Sequence, residues 1–235
     1  MNLAHGLERC RTFINTQLQP AGKGLPSAED GRLWRGVTIS RQTGSGAHIV
    51  AEKLAAGLQT HTSQDARPWT VFDRNLVEKV LEDHNLPQRL ARFMPEDKAS
   101  EIEDTMDELF GLHPPSWTLV RQTTDTILHL VELGNVIVIG RGATVITRKL
   151  DYVFHVRLLG SLEKRVAHIQ ELHRLGKKAA LNLIRREDRG RKRYLKQYFN
   201  AEIDDPLLYH LVINTDLVPY EKAARIIADA MLERG

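Results

Sequence analysis

Short apolar runs recur along the chain, and each is followed by a longer stretch whose apolar residues return every three or four positions. The runs at 36–40 (G-V-T-I-S), 69–72, 135–140 (N-V-I-V-I-G), 152–158 and 211–214 read as strands. The stretches at about 47–58, 73–84, 97–110, 116–133, 161–175, 178–198 and 219–233 read as helices. Ser116, after Pro114-Pro115, is the expected N-cap of the fourth. Strands alternating with helices predict an α/β fold: a parallel five-stranded sheet flanked by helices. Ahead of it, Leu3, Leu7, Cys10, Ile14 and Leu18 mark an amphipathic helix, and the Pro/Gly-rich stretch from Pro20 reads as a linker. Residues 1–34 are therefore expected to be an appended helix and linker, packing on the core or on a second copy in a homo-oligomer.

Composition adds little. The 235 residues carry a formal charge of +3, which suits an anionic ligand but is too small to argue for nucleic acid. One cysteine excludes an internal disulfide, and the scattered histidines predict no transition-metal site. No run is apolar enough for a membrane span or a signal peptide, so a cytoplasmic protein is expected.

The chemistry gathers where strands end. In open α/β sheets ligands bind beyond the carboxyl ends of the strands. Here those ends meet Arg41, Asp73-Arg74, Gly140-Arg141-Gly142, Gly160-Ser161 and Asn214-Thr215. After the first strand, R-Q-T-G-S-G-A-H opens a helix. Glycines let consecutive N–H groups curl around a phosphate, and the helix start adds its own donors. Gly44, Ser45, Gly46, Ala47 and His48 offer such a cradle. Ala47 and His48 stand where a standard phosphate loop has lysine and then serine or threonine, so the mobile charge and the magnesium hydroxyl are missing. Arg41 offers a substitute charge, and Ser45 or Thr43 a hydroxyl. The plain alternatives stay open here: a tight turn at Gly44–Gly46, an N-cap at Asp73, solvated arginines and a surface histidine.

Residues 185–193 read R-R-E-D-R-G-R-K-R. At about 100° per residue, Arg186, Arg189 and Arg193 share one face, expected to meet an anion. Asp188 and Arg191 lie roughly opposite, as a structural ion pair. Gly190 suggests a hinge. A closing lid is one reading of this segment. An RNA-contacting helix, with Tyr194, Tyr198 and Phe199 as stacking groups, is another.

Four stretches then match a known pattern: T-I-S-R-Q-T-G-S-G-A-H-I-V-A-E-K-L-A at 38–55, V-F-D-R-N-L-V at 71–77, N-V-I-V-I-G-R-G-A at 135–143 and D-R-G-R-K-R-Y at 188–194, followed by D-D-P-L-L-Y-H-L-V-I-N-T-D at 204–216. The chain resembles the cytidylate kinase-like family, relatives of bacterial cytidylate kinase among the P-loop nucleoside monophosphate kinases. The resemblance implies a P-loop NTPase-type core over 35–235, a helical substrate-binding subdomain at 73–133 and a lid at 176–204. By likeness, Gly44–His48 hold donor phosphates and Asn214 and Thr215 lie near the donor base. Asp73, Arg74 and Arg141 lie near the acceptor, and Arg186, Arg189 and Arg193 serve as lid arginines; with Arg41 as the substitute charge, these are the expected catalytic residues. The implied reaction moves the terminal phosphoryl of ATP, with Mg2+, to CMP or dCMP. A nucleotide-binding regulator without turnover, and an RNA-binding module, are the alternatives.

Overall fold

In a computed structural model of the protein, residues 34–62, 68–73 and 118–233 are described. The expected N-terminal helix, the helices at 73–84 and 97–110, the Ser116 cap and Arg74 lie outside them.

Five strands form one sheet: β1 (Gly36–Arg41), β2 (Thr70–Phe72), β3 (Val136–Ile139), β4 (Val153–Leu159) and β5 (Leu211–Asn214). Their order is β2-β3-β1-β4-β5, and every pairing is parallel. All carboxyl ends therefore lie on one edge. The helices are α1 (Ala47–Thr60), α2 (Thr118–Leu133), the short α3 (Ala143–Ile146), α4 (Leu162–His173), α5 (Lys177–Phe199) and α6 (Tyr220–Leu232). Among the described residues, no helix is long and apolar enough to cross a membrane.

Strand alternation gives the two faces of the sheet different chemistry. Val37, Ile39, Ile137, Ile139, Phe154, Val156 and Leu158 face α1 and α6, where Val50, Leu54, Leu58, Ile227 and Met231 complete an apolar core. Toward α2 and α3, Val136, Val138 and Val153 meet Leu128, Val131 and Ile146. The alternate positions of β1 and β4 on that second side are polar: Thr38, Ser40, His155 and Arg157, all buried.

Such groups require partners at close range. Thr38 Oγ1 lies 2.9 Å from Thr144 Oγ1 and 2.8 Å from His155 Nδ1. The His155 amide donates to His210 Nδ1 at 2.9 Å. Burial, with the nearby His210, lowers the His155 pKa from 6.5 to about 4. Because the folded value lies below the unfolded one, the unfolded chain binds more protons between pH 6.5 and pH 4. Stability is expected to fall through that window, by on the order of 3 kcal/mol in all. Urea midpoints measured across it should lose most of this slope in His155→Gln.

α4 and α5 form an antiparallel pair joined by Val166, Ile169, Ala180 and Ile184. The Ser161 hydroxyl caps α4 by accepting from the Lys164 amide at 3.4 Å. α5 runs unbroken through Gly190. No break in the helix marks the expected hinge, and at Gly190 the helix face meets open space. Tyr194, Tyr198 and Phe199, read as stacking groups for RNA, are half-buried and pack against the α2–α3 core.

Candidate phosphate-binding site

The glycine turn is anchored from below. Gln42 N donates to Leu158 O at 3.0 Å, and Gln42 Oε1 accepts from Gly160 N at 3.1 Å. Gly44 and Gly46 take φ of +88° and +79°, the left-handed region that favours glycine. A β-carbon on Gly44 would lie 2.6 Å from the Arg165 carbonyl oxygen, and one on Gly46 would enter the Tyr220 ring. Tyr220 is itself held by His168 Nδ1, 2.9 Å from its hydroxyl. Among the described residues, the amides of Gly44, Gly46, Ala47 and His48 have no acceptor. They form the open N-terminus of α1, which has no side-chain cap.

The loop hydroxyls expected to replace the missing one are committed elsewhere. Ser45 Oγ is buried and donates to Gln42 O at 2.8 Å. Thr43 Oγ1 accepts from Arg191. Ala47 is buried in the apolar core. His48 Nδ1 stands 3.9 Å from Asp73 Oδ2. Partial burial lowers the His48 pKa, Asp73 pulls it up, and Arg41 pushes it down again.

Arg41 supplies the charge at the cleft. Its guanidinium fills the space that a β-carbon on Gly140 would occupy. It makes no hydrogen bond or ion pair among the described residues. Burial lowers its pKa from 12.5 to about 10, with further depression from Arg191 and Arg141 that Asp73 and Glu187 only partly offset. A desolvated cation beside two others is costly unless an anion joins it. Arg141 reaches the same place by an uncommon backbone. Gly140, Arg141 and Gly142 all have positive φ: 80°, 55° and 75°. For arginine this conformation is strained, and such strain concentrates at functional sites.

A cavity of about 390 Å³ lies over these groups, walled by Ser40, Arg41, Gly140–Thr144 and Tyr209. Arg186, Glu187, Gly190, Arg191, Arg193 and Tyr194 of α5 close it from the other side. Arg186 and Arg193, seven positions apart, meet this cavity together. Arg189 is not among its walls: it lines a neighbouring cavity with Arg185, Asp188 and Lys192. The 60° between Arg189 and Arg186 on the helix is enough to separate them.

Asp188 does more than pair with Arg191. It accepts from the Thr43 amide at 2.9 Å, from Arg165 Nη1 at 2.8 Å and from Arg191 Nη2. Arg165 also donates to Thr43 O at 3.1 Å and Gly160 O at 2.9 Å. One carboxylate thus joins the glycine loop, α4 and α5. Burial pushes its pKa up, but the Thr43 amide, Arg165 and Arg191 outweigh that and hold it below the usual value. Asn214 and Thr215 sit farther along the same edge. Thr215 Oγ1 donates to Leu159 O at 2.8 Å, and Asn214 Oδ1 accepts from the Asp216 amide at 2.9 Å. Asp73 follows β2 at the opposite end.

Sequence reasoning missed Arg157, Arg165 and Tyr209. Arg157 Nη1 donates to Ser40 Oγ at 2.9 Å, and Nη2 to Asp204 Oδ1 at 2.5 Å. Its guanidinium lies over the Tyr209 ring, 5.6 Å from the centroid. The available signal was an arginine inside the apolar run V-F-H-V-R-L-L, since a buried arginine is rare unless paired.

A parallel sheet in this order, with a glycine turn after its first-numbered strand and a two-helix flap over the edge, is a P-loop kinase-like α/β fold. The chain belongs to the cytidylate kinase-like family, whose pattern it matches over residues 36–217. It is 25% identical over 159 residues to a cytidylate kinase of Methanocaldococcus jannaschii, covering 66% of this chain and 89% of that protein. It is 25% identical over 163 residues to a cytidylate kinase of Methanococcus aeolicus, covering 68% and 91%. A crystal structure of an uncharacterized protein from Eubacterium ventriosum shares the fold, with a TM-score of 0.65 at 21% identity over 85% of this chain and 99% of that one.

Proposed function

We propose that the protein is a nucleoside monophosphate kinase that moves the terminal phosphoryl group of ATP to CMP or dCMP. The observation that carries this reading is the convergence of Arg41, Arg141, Arg186 and Arg193 on one cavity beside a turn of open amides. Phosphoryl transfer depends mainly on positioning and charge neutralisation, and such a group of cations provides both. In this reading the open amides of Gly44, Gly46, Ala47 and His48 surround the donor phosphates, the Ser45 amide braces the turn by donating to Gln42 O, and Arg41 replaces the absent loop lysine. Arg141, with Asp73 and Arg74, receives the acceptor, while Arg186 and Arg193 bear on the transferring group. Asn214 and Thr215 lie on the donor-base side. Arg189 is left out, because it lines the neighbouring cavity and not this one. Magnesium enters with ATP as substrate: Ser45 is buried, and Thr43 Oγ1 lies against the Arg191 cation. The units follow: residues 35–235 as the kinase domain, 73–133 for the acceptor, 176–204 as lid and 1–34 as an appendage. The cytosine preference rests on the names of the two archaeal relatives.

A coupled assay with MgATP and a panel of nucleoside monophosphates tests the proposal. CMP and dCMP should be the best acceptors. Arg186→Ala and Arg193→Ala should each lower kcat by about 100-fold, as for other lost transition-state contacts. Arg141→Asn, which removes the charge but tolerates a left-handed backbone, should mainly raise the KM for the acceptor. Nucleotide binding without turnover on any acceptor would leave the second reading, a nucleotide-binding regulator. The committed loop hydroxyls and the buried Ala47 favour that reading over an RNA-binding module.

A further inference from the structure

β4 carries a guanidinium where the interior of a sheet normally holds an apolar side chain. Register sets Arg157 between Ser40 of β1 and Val212 of β5, and its side chain is only 4% exposed. A buried ion pair adds little stability over well-packed apolar residues, so stability alone does not account for an arginine here.

Its two forked nitrogens join two parts of the molecule. Nη1 donates to Ser40 Oγ, which belongs to a wall of the first cavity and precedes Arg41. Nη2 donates to Asp204, on the loop by which the chain returns from α5 to the sheet. The other oxygen of Asp204 takes Lys192 of α5, the neighbour of Arg193. Tyr209 completes the frame: its ring lies against the guanidinium, and its hydroxyl donates to Ile203 O at 2.8 Å with Ser40 Oγ 3.2 Å away. One side chain therefore spans from the strand end that carries Arg41 to the helix that carries Arg186 and Arg193. Arg157, Asp204 and Lys192 are absent from the walls of the first cavity. What they do for a ligand there, they do through Ser40 and α5.

On the kinase reading above, we infer that Arg157 is a positioning residue: it fixes α5 against Ser40 and Arg41, so that arginines from both sides of the cleft meet one anion. A misplacement of about 1 Å can cost about 100-fold in rate. Lysine is no substitute, because a single ammonium lacks the fork that reaches Ser40 and Asp204 together.

The test combines kinetics, urea midpoints and amide hydrogen exchange on the full chain. Arg157→Met leaves no buried charge unpaired, because Asp204 is half-exposed and keeps Lys192. Its urea midpoint should stay near that of wild type. Its kcat with MgATP and CMP should fall at least about tenfold, with each KM within about threefold. Arg157→Lys should recover little of this loss. Arg157→Met/Asp204→Asn should be no slower than Arg157→Met, since both changes break one link. Without nucleotide, amides of α5 and of residues 200–209 should exchange faster in Arg157→Met, while those of α1 and α6 keep their wild-type rates. Wild-type kcat in Arg157→Met would overturn the inference, as would a kcat that falls only in step with the urea midpoint. If wild type turns over no acceptor, the kinase reading fails and exchange alone decides: faster exchange confined to α5 and its return loop upholds the link, and unchanged exchange removes it.

Discussion

Gly140→Ala is expected to lower nucleotide affinity and turnover by about 100-fold while leaving the chain folded. Two effects act at this position. Its φ of +80° costs an alanine roughly 1–2 kcal/mol. The new methyl would also take the place of the Arg41 guanidinium. That group is the far end of a flexible side chain, so it moves before the backbone does. The fold therefore loses little, and the cleft loses its most desolvated cation. Thermal melting should show a drop of a few degrees, consistent with a domain of this size. ATP and CMP titrations should show the large loss. A variant that binds both ligands normally would mean that the place of Arg41 against Gly140 is immaterial to the site.

Asp188→Ala is expected to damage both stability and activity. The carboxylate compensates Arg165, which is buried, and Arg191. Removing one partner of such a pair leaves uncompensated charge. Because Asp188 keeps some exposure, about 2–3 kcal/mol is expected, below the full range for a buried pair. This corresponds to a Tm lower by about 5–10 °C. The Thr43 amide loses its acceptor as well, so the start of the glycine loop loosens. Asp188→Asn separates the two effects, since its amide oxygen still accepts from Thr43 while the charge is gone. The sign with pH follows from the depressed pKa. The contribution of Asp188 is complete above the usual 3.8 and disappears as acid protonates it below that value. In Asp188→Ala that part of the acid-induced loss should be missing.

The strands, the glycine turn and the long basic helix were legible because each rests on local periodicity. The run V-I-V-I needs only its own apolar side chains to mark a buried strand. The partners of Arg157 were not legible, because they depend on register. Ser40 meets Arg157 only because β1 and β4 pair with those two residues side by side. Arg165 and Asp188 are 23 positions apart and meet through the packing of α4 on α5, which no motif encodes. Arg189 shows the limit of helical arithmetic. Periodicity placed it near Arg186, but the walls of two cavities divide the helix surface more finely than a shared face implies. The loop hydroxyls show another limit, since Ser45 and Thr43 are the right residue types at the right place, but Ser45 is buried against Gln42 and Thr43 Oγ1 faces the Arg191 cation.

The central claim is that a strand-end guanidinium replaces the loop ammonium group. The most direct measurement is kcat for MgATP and CMP in Arg41→Gln beside Arg41→Lys. The account predicts a loss of at least about 100-fold in Arg41→Gln, with partial recovery in Arg41→Lys, because the site needs a cation there. Wild-type kcat in Arg41→Gln would contradict it.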